Sequence, residues 1–216
     1  MINHHIHPDI LMSYAAGNTS PEVSLVVASH LTVCSKCRED VATYEKLGGH
    51  IIENADVVSV NPDTISNIFD KIDNSVDMEN DQPVSKNFFD GIPRVLQKYL
   101  PSGNTLTENW KKAFTGFKYF DINIGDSSSV VKMLSIPPGK KLPHHTHSGT
   151  EFTLVLQGGF RDETGSYDAG DVAIVDEKDS HTPIADKNEG CVCLVVYEGS
   201  LKFKGLFGPV LNYLKI

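Results

Sequence analysis

Basic residues are scarce: 19 Lys and Arg stand against 28 Asp and Glu, giving a formal net charge of −9 over 216 residues. A chain that grips nucleic acid directly presents a basic stripe, so this balance argues against that function. Long apolar runs are missing too, and none approaches the roughly 20 residues needed to span a bilayer. The opening residues MINHHIHPDI contain neither the basic nor the apolar region of a secretory leader, so a cytoplasmic placement is expected. Cysteine is limited to four residues in two close pairs, Cys34/Cys37 and Cys191/Cys193. In a reducing compartment these are thiols rather than a disulfide framework. There is no internal repeat and no low-complexity tract.

Histidine is what the chain does have, nine in all, and their positions are patterned. Residues 139–158 read GKKLPHHTHSGTEFTLVLQG, which is G-x5-H-x-H-x3-E-x6-G. Alternate residues of a strand share a face, so His145 and His147 can aim at one ion while Thr146 turns away. Glu151 can close on the ion from the start of the next strand, and His181 offers a further ligand downstream. Imidazole and carboxylate suit a borderline divalent cation. His144 has the outward parity and is not counted among the ligands. The alternative, that these are ordinary strand and loop histidines, explains one of them easily but not four groups framed by these glycines.

This pattern, continued by YDAGDVAIVDEKDSHTP at residues 167–183, resembles the cupins. That resemblance implies an all-β jelly-roll barrel (a double-stranded β-helix) with His145, His147, Glu151 and His181 as metal ligands.

A second cluster lies in SHLTVCSKC, residues 29–37, where His30, Cys34 and Cys37 are spaced H-x3-C-x2-C. On a helix His30 and Cys34 would be neighbours one turn apart, with Cys37 at the helix end or the next turn. Thiolates and imidazole together suit tetrahedral zinc, and one of His4, His5 or His7 can return as the fourth ligand. A redox dithiol would call for a preceding strand, whereas PEVSLVVASHLTV reads as helix. Two inert buried cysteines are the plainer alternative, and the preceding His with the histidine-rich start favours zinc. Cys191 and Cys193, two apart in GCVCLVVY, read as small core residues of the barrel.

The stretch HHIHPDILMSYAAGNTSPEVSLVVASHLTVCSKC resembles the zinc-binding domain of ChrR-type anti-sigma factors, and a cupin following on the same chain extends the resemblance over nearly the whole sequence. The family's spacing to Tyr14–Gly17 places its N-terminal histidine at His5, with His7 as competitor. The resemblance implies an extracytoplasmic-function sigma factor as partner, held inactive by the zinc domain. It also implies zinc in both domains, two per chain, with another divalent metal open for the cupin. The cupin would receive a small-molecule or oxidant signal such as singlet oxygen. An acidic chain suits steering toward the basic DNA-contacting surfaces of such a partner. The competing function is a metal-dependent cupin enzyme, dioxygenase-like, carrying an attached regulatory domain.

The expected architecture is therefore α+β in two domains, a small zinc-bound helical bundle over residues 1–84 and an all-β cupin over 85–216. Pro8 opens a first helix that Gly17 ends, Ser20 caps a second at Pro21, and a third runs from about Cys37 to Glu53. Asn61-Pro62 signals a fourth, carrying Ile65, Ile68, Phe69 and Ile72 at i, i+3, i+4 and i+7. Residues 73–87 read as an acidic linker, and residues 88–100 as a short helix or arm covering the barrel. Short β-prone runs follow from Phe117 onward.

Overall fold

The computed structural model describes residues 2–74, 92–100, 110–112, 116–125, 129–199 and 201–203. The linker expected at residues 73–87 falls almost wholly outside them. Helix α1 (Pro8–Ala15) starts at Pro8, with the His7 ring accepting from the Asp9 amide. Gly17 sits just past its end at φ 72°, a left-handed conformation that glycine adopts without a Cβ penalty. Helix α2 (Pro21–Leu31) is capped by the Ser20 hydroxyl on the Val23 amide.

Two helix starts differ from the expectation. Helix α3 (Ser35–Glu53) begins two residues before Cys37, because the Cys34 thiol is its N-cap and accepts from the Cys37 amide at 3.4 Å. Cys34 thus lies beyond α2 rather than on it, held by its amide to the His30 carbonyl. Helix α4 (Thr64–Asp73) begins at Thr64, because the Asn61 side chain takes the Asp63 amide and makes a turn instead of a cap.

After the short helix α5 (Arg94–Gln97) every further named element among the described residues is a strand. One antiparallel sheet runs β1 (Lys111–Lys112), β2 (Lys118–Ile122), β3 (Val130–Ile136), β10 (Cys191–Tyr197), β5 (Glu151–Arg161), β6 (Ser166–Asp168), with β7 (Val172–Val175) and β9 (Ile184–Ala185) also on β5. A second sheet sets β4 (His145–His147) between β8 (Ser180–His181) and β11 (Leu201–Phe203).

Strand parity divides the core into two faces. On β5 and β10 the residues Glu151, Thr153, Val155, Cys191, Cys193, Val195 and Tyr197 turn into the barrel. Phe152, Leu154, Leu156, Leu194 and Val196 turn outward, and join Val23, Val26, Val27 and Leu11 of the helices and Leu96 of α5 in one buried cluster. A strand buried on both faces reads as a continuous apolar run, which is why FTLVL lacks alternation. The helical layer therefore lies against the outer face of the barrel sheet, and α5 packs on α2 with Leu96 in the same buried cluster. Among the described residues no helix is long and apolar enough to cross a membrane.

Candidate metal centres

The first centre joins three elements. His5 precedes α1, His30 closes α2 and Cys34 and Cys37 open α3, and their ligand atoms all lie within 4.8 Å of one another. Nδ1 of His5 is 3.3 Å from Sγ of Cys34 and 3.7 Å from Sγ of Cys37. Nε2 of His30 is 3.3 Å from Sγ of Cys37. His30 is fully buried and its Nδ1 donates to the Gly170 carbonyl at 2.8 Å, which leaves the Nε2 lone pair aimed at the thiols. Burial lowers the His30 pKa, against the opposing effect of that hydrogen bond, and favours neutral imidazole. Burial also pushes the Cys37 thiol up to about 11, so its thiolate needs a cation at close range. His7, committed to capping α1, is outside the cluster, and His4 packs on Tyr167 instead.

The second centre is in the barrel. His145 and His147, on alternate positions of β4, meet His181 of β8, which is the Cα partner of His145. All three are buried. Nε2 of His181 lies 3.1 Å from Nε2 of both His145 and His147. Nδ1 of His181 donates to Oδ2 of Asp162 at 2.7 Å, and Nδ1 of His145 donates to the Pro143 carbonyl at 2.9 Å. Each of these two rings therefore turns its Nε2 toward the others, and although burial opposes it, the hydrogen bond to Asp162 with the nearby carboxylates raises the His181 pKa. With a cation in place of a shared proton, the three Nε2 lone pairs form a donor set that suits a divalent metal. Burial, reinforced by the neighbouring imidazoles, holds His145 down to about 3 and His147 to about 4.

Glu151 stands beside this trio rather than inside it. Oε2 is 3.5 Å from Nδ1 of His147, and Oε1 accepts from the Thr153 hydroxyl at 3.0 Å. Burial raises the Glu151 pKa, which makes a neighbouring cation the natural stabiliser of its charge. A cavity of about 90 Å³ adjoins the trio, lined by His145, His181 and Glu151 and by mainly apolar side chains that include Cys191 and Cys193. Both thiols are buried, as expected of core residues. His144 points away to Thr182.

The partners that orient these residues carry no mark in the sequence motifs. Asp162 holds His181, and Gly170 supplies the carbonyl that holds His30.

Residues 103–201 match the family described as the ChrR Cupin-like domain. Over 204 residues the chain is 33% identical to the anti-sigma-E factor ChrR of Cereibacter sphaeroides, covering 94% of this chain and 92% of that protein. The chain belongs to the ChrR family of anti-sigma factors. A crystal structure of Rhodobacter sphaeroides SigE in complex with the anti-sigma factor ChrR holds a chain similar to this one at a TM-score of 0.76 and 31% identity. The match covers 92% of this chain and 100% of that chain. Membership in the ChrR family thus extends over the helical layer as well as the barrel.

Proposed function

We propose that this chain is a cytoplasmic anti-sigma factor, a regulator rather than an enzyme, which binds an extracytoplasmic-function sigma factor through its helical part and keeps it from RNA polymerase. The observation that carries this reading is an unburied apolar face. Helix α4 has no buried residue, and Ile65, Ile68, Phe69 and Ile72 are all exposed on it. Leu47, Ile51 and Ile52 of α3 and Val57, Val58 and Val60 after it are exposed as well. Apolar surface on this scale marks a protein interface, and an amphipathic helix laid in a partner's groove is a standard way to fill one. The SigE–ChrR complex supports a sigma factor as the occupant.

We assign zinc to both centres, two ions per chain, with residues 1–84 and 85–216 as the working division of labour. His5, His30, Cys34 and Cys37 would hold the first, where the ion is a cross-link between the N-terminal segment, α2 and α3. His145, His147, His181 and Glu151 would hold the second, where a divalent ion would supply Lewis acidity toward a small molecule or an oxidant such as singlet oxygen. The barrel residues bind and orient there: Asp162 fixes the His181 tautomer, and the apolar cavity wall limits water. Substituting Glu151→Ala should leave sigma-factor binding intact and abolish induction by singlet oxygen in cells. Equal induction by the variant and the wild type at matched protein levels would remove the barrel from signalling.

A further inference from the structure

Residues 162–171 touch both metal centres. At one end Asp162, its side chain fully buried, accepts from His181 of the barrel centre. Its other oxygen accepts from the Thr164 hydroxyl at 2.6 Å and from the amides of Thr164 and Gly165. Because the Thr164 hydroxyl donates to Asp162, the Tyr167 hydroxyl 2.9 Å away donates to Thr164. The Tyr167 ring in turn packs on the ring of His4 at a centroid distance of 4.4 Å, one residue from the ligand His5.

At the other end the same segment grips the first centre twice. Oδ1 of the fully buried Asp171 accepts the amides of Asn3 at 2.7 Å and His4 at 2.9 Å, and the Val172 amide donates to the His4 carbonyl. The Gly170 carbonyl accepts from Nδ1 of His30. Gly170 has φ 95°, and a Cβ there would come within 2.9 Å of the Ile2 side chain, so glycine gives the N-terminal segment room to lie on the turn. The turn itself is tied to β5 by reciprocal backbone bonds with Val155.

We propose that residues 162–171 form a shared outer shell for the two centres, with Asp162 and Asp171 as positioning residues, so that metal retention at the thiolate centre depends on the barrel centre. Residues that hydrogen-bond to metal ligands typically control affinity by about 10–100-fold, and here the partners of two centres sit on one short, hydrogen-bonded segment. By linkage the dependence runs both ways. The inference rests on reading both clusters as metal sites.

The test uses the full chain loaded with cobalt(II), whose thiolate-to-cobalt absorption band reports the Cys34/Cys37 centre. The readout is the rate at which EDTA bleaches it. Asp171→Ala should bleach about tenfold faster than wild type, and Asp171→Asn, which keeps an acceptor oxygen, should restore most of the difference. Should Asp171→Ala fail to fold, Asn3→Pro removes a donor from the other side without touching the barrel, with faster bleaching again expected. Emptying the barrel centre through His147→Ala should also speed bleaching, by at least about fivefold. Tyr167→Phe, which keeps the ring and removes the hydroxyl, should blunt that response. Wild-type bleaching rates in Asp171→Ala or Asn3→Pro, or a rate indifferent to His147→Ala, would overturn the coupling. A wild-type protein with no thiolate band would instead overturn the metal reading of the first centre.

Discussion

Imidazoles whose Nε2 atoms converge at 3.1 Å, with Nδ1 of two of them committed to Asp162 and Pro143, offer a divalent cation a ready donor set. The same holds for the two thiols near His5 and His30. Cys34→Ser should therefore lose one of two metal equivalents by metal analysis and lower helical content, because metal binding contributes directly to folding where the core is small. Unchanged metal content and helicity would rule out a structural metal there. The clustered His and Cys residues are legible in the sequence because strand alternation and the H-x3-C-x2-C spacing are local rules. Asp162 and Asp171 were not, since the bonds that matter join residues far apart: His4 and Asp171 are separated by 167 positions. The spacing to His30 suggests a place for Cys34 on α2, whereas it caps α3, because a thiol acting as an N-cap leaves no mark in hydrophobic periodicity.

At the scale of elements, α2 and α4 show opposite fates for apolar residues at helical spacing. Helix α2 buries Val23, Val26 and Val27 against the outer face of β5 and β10, whereas α4 buries nothing. Leu194, fully buried in that seam, should cost about 2–5 kcal/mol when cut to Ala, measured by denaturant unfolding, as expected of a large-to-small core change. Ile68 is 51% exposed, so Ile68→Asp should shift stability by no more than about 0.5 kcal/mol. The same change should weaken sigma-factor binding at least tenfold, since an unpaired carboxylate would be buried in the interface. A variant that binds as well as wild type would take α4 out of the contact. The helix and strand periods were readable from the sequence, including the start of α1 at Pro8. What covers the second face of FTLVL was not, because a doubly buried strand and a buried helix segment share one pattern.

For the whole molecule, one buried cluster runs from Leu11 and Val26 of the helices to Leu154 and Leu194 of the barrel. The helical layer thus presents one side to the barrel sheet and leaves the apolar residues of α3 and α4 for a partner. An acidic chain of net charge −9 favours rapid encounter with a basic surface, so association should slow as salt rises while the apolar contacts hold dissociation nearly constant. Stopped-flow association across a salt series reads this directly, and a salt-independent rate would remove the steering. The most direct measurement of the central claim is competition: the purified full chain, an extracytoplasmic-function sigma factor from the same genome, and core RNA polymerase, followed by size-exclusion chromatography and run-off transcription. The account predicts a stable complex of chain and sigma factor, excluded from polymerase and silent in transcription. A sigma factor that still binds polymerase and initiates at full rate in excess chain, for every such sigma factor of that genome, would contradict it.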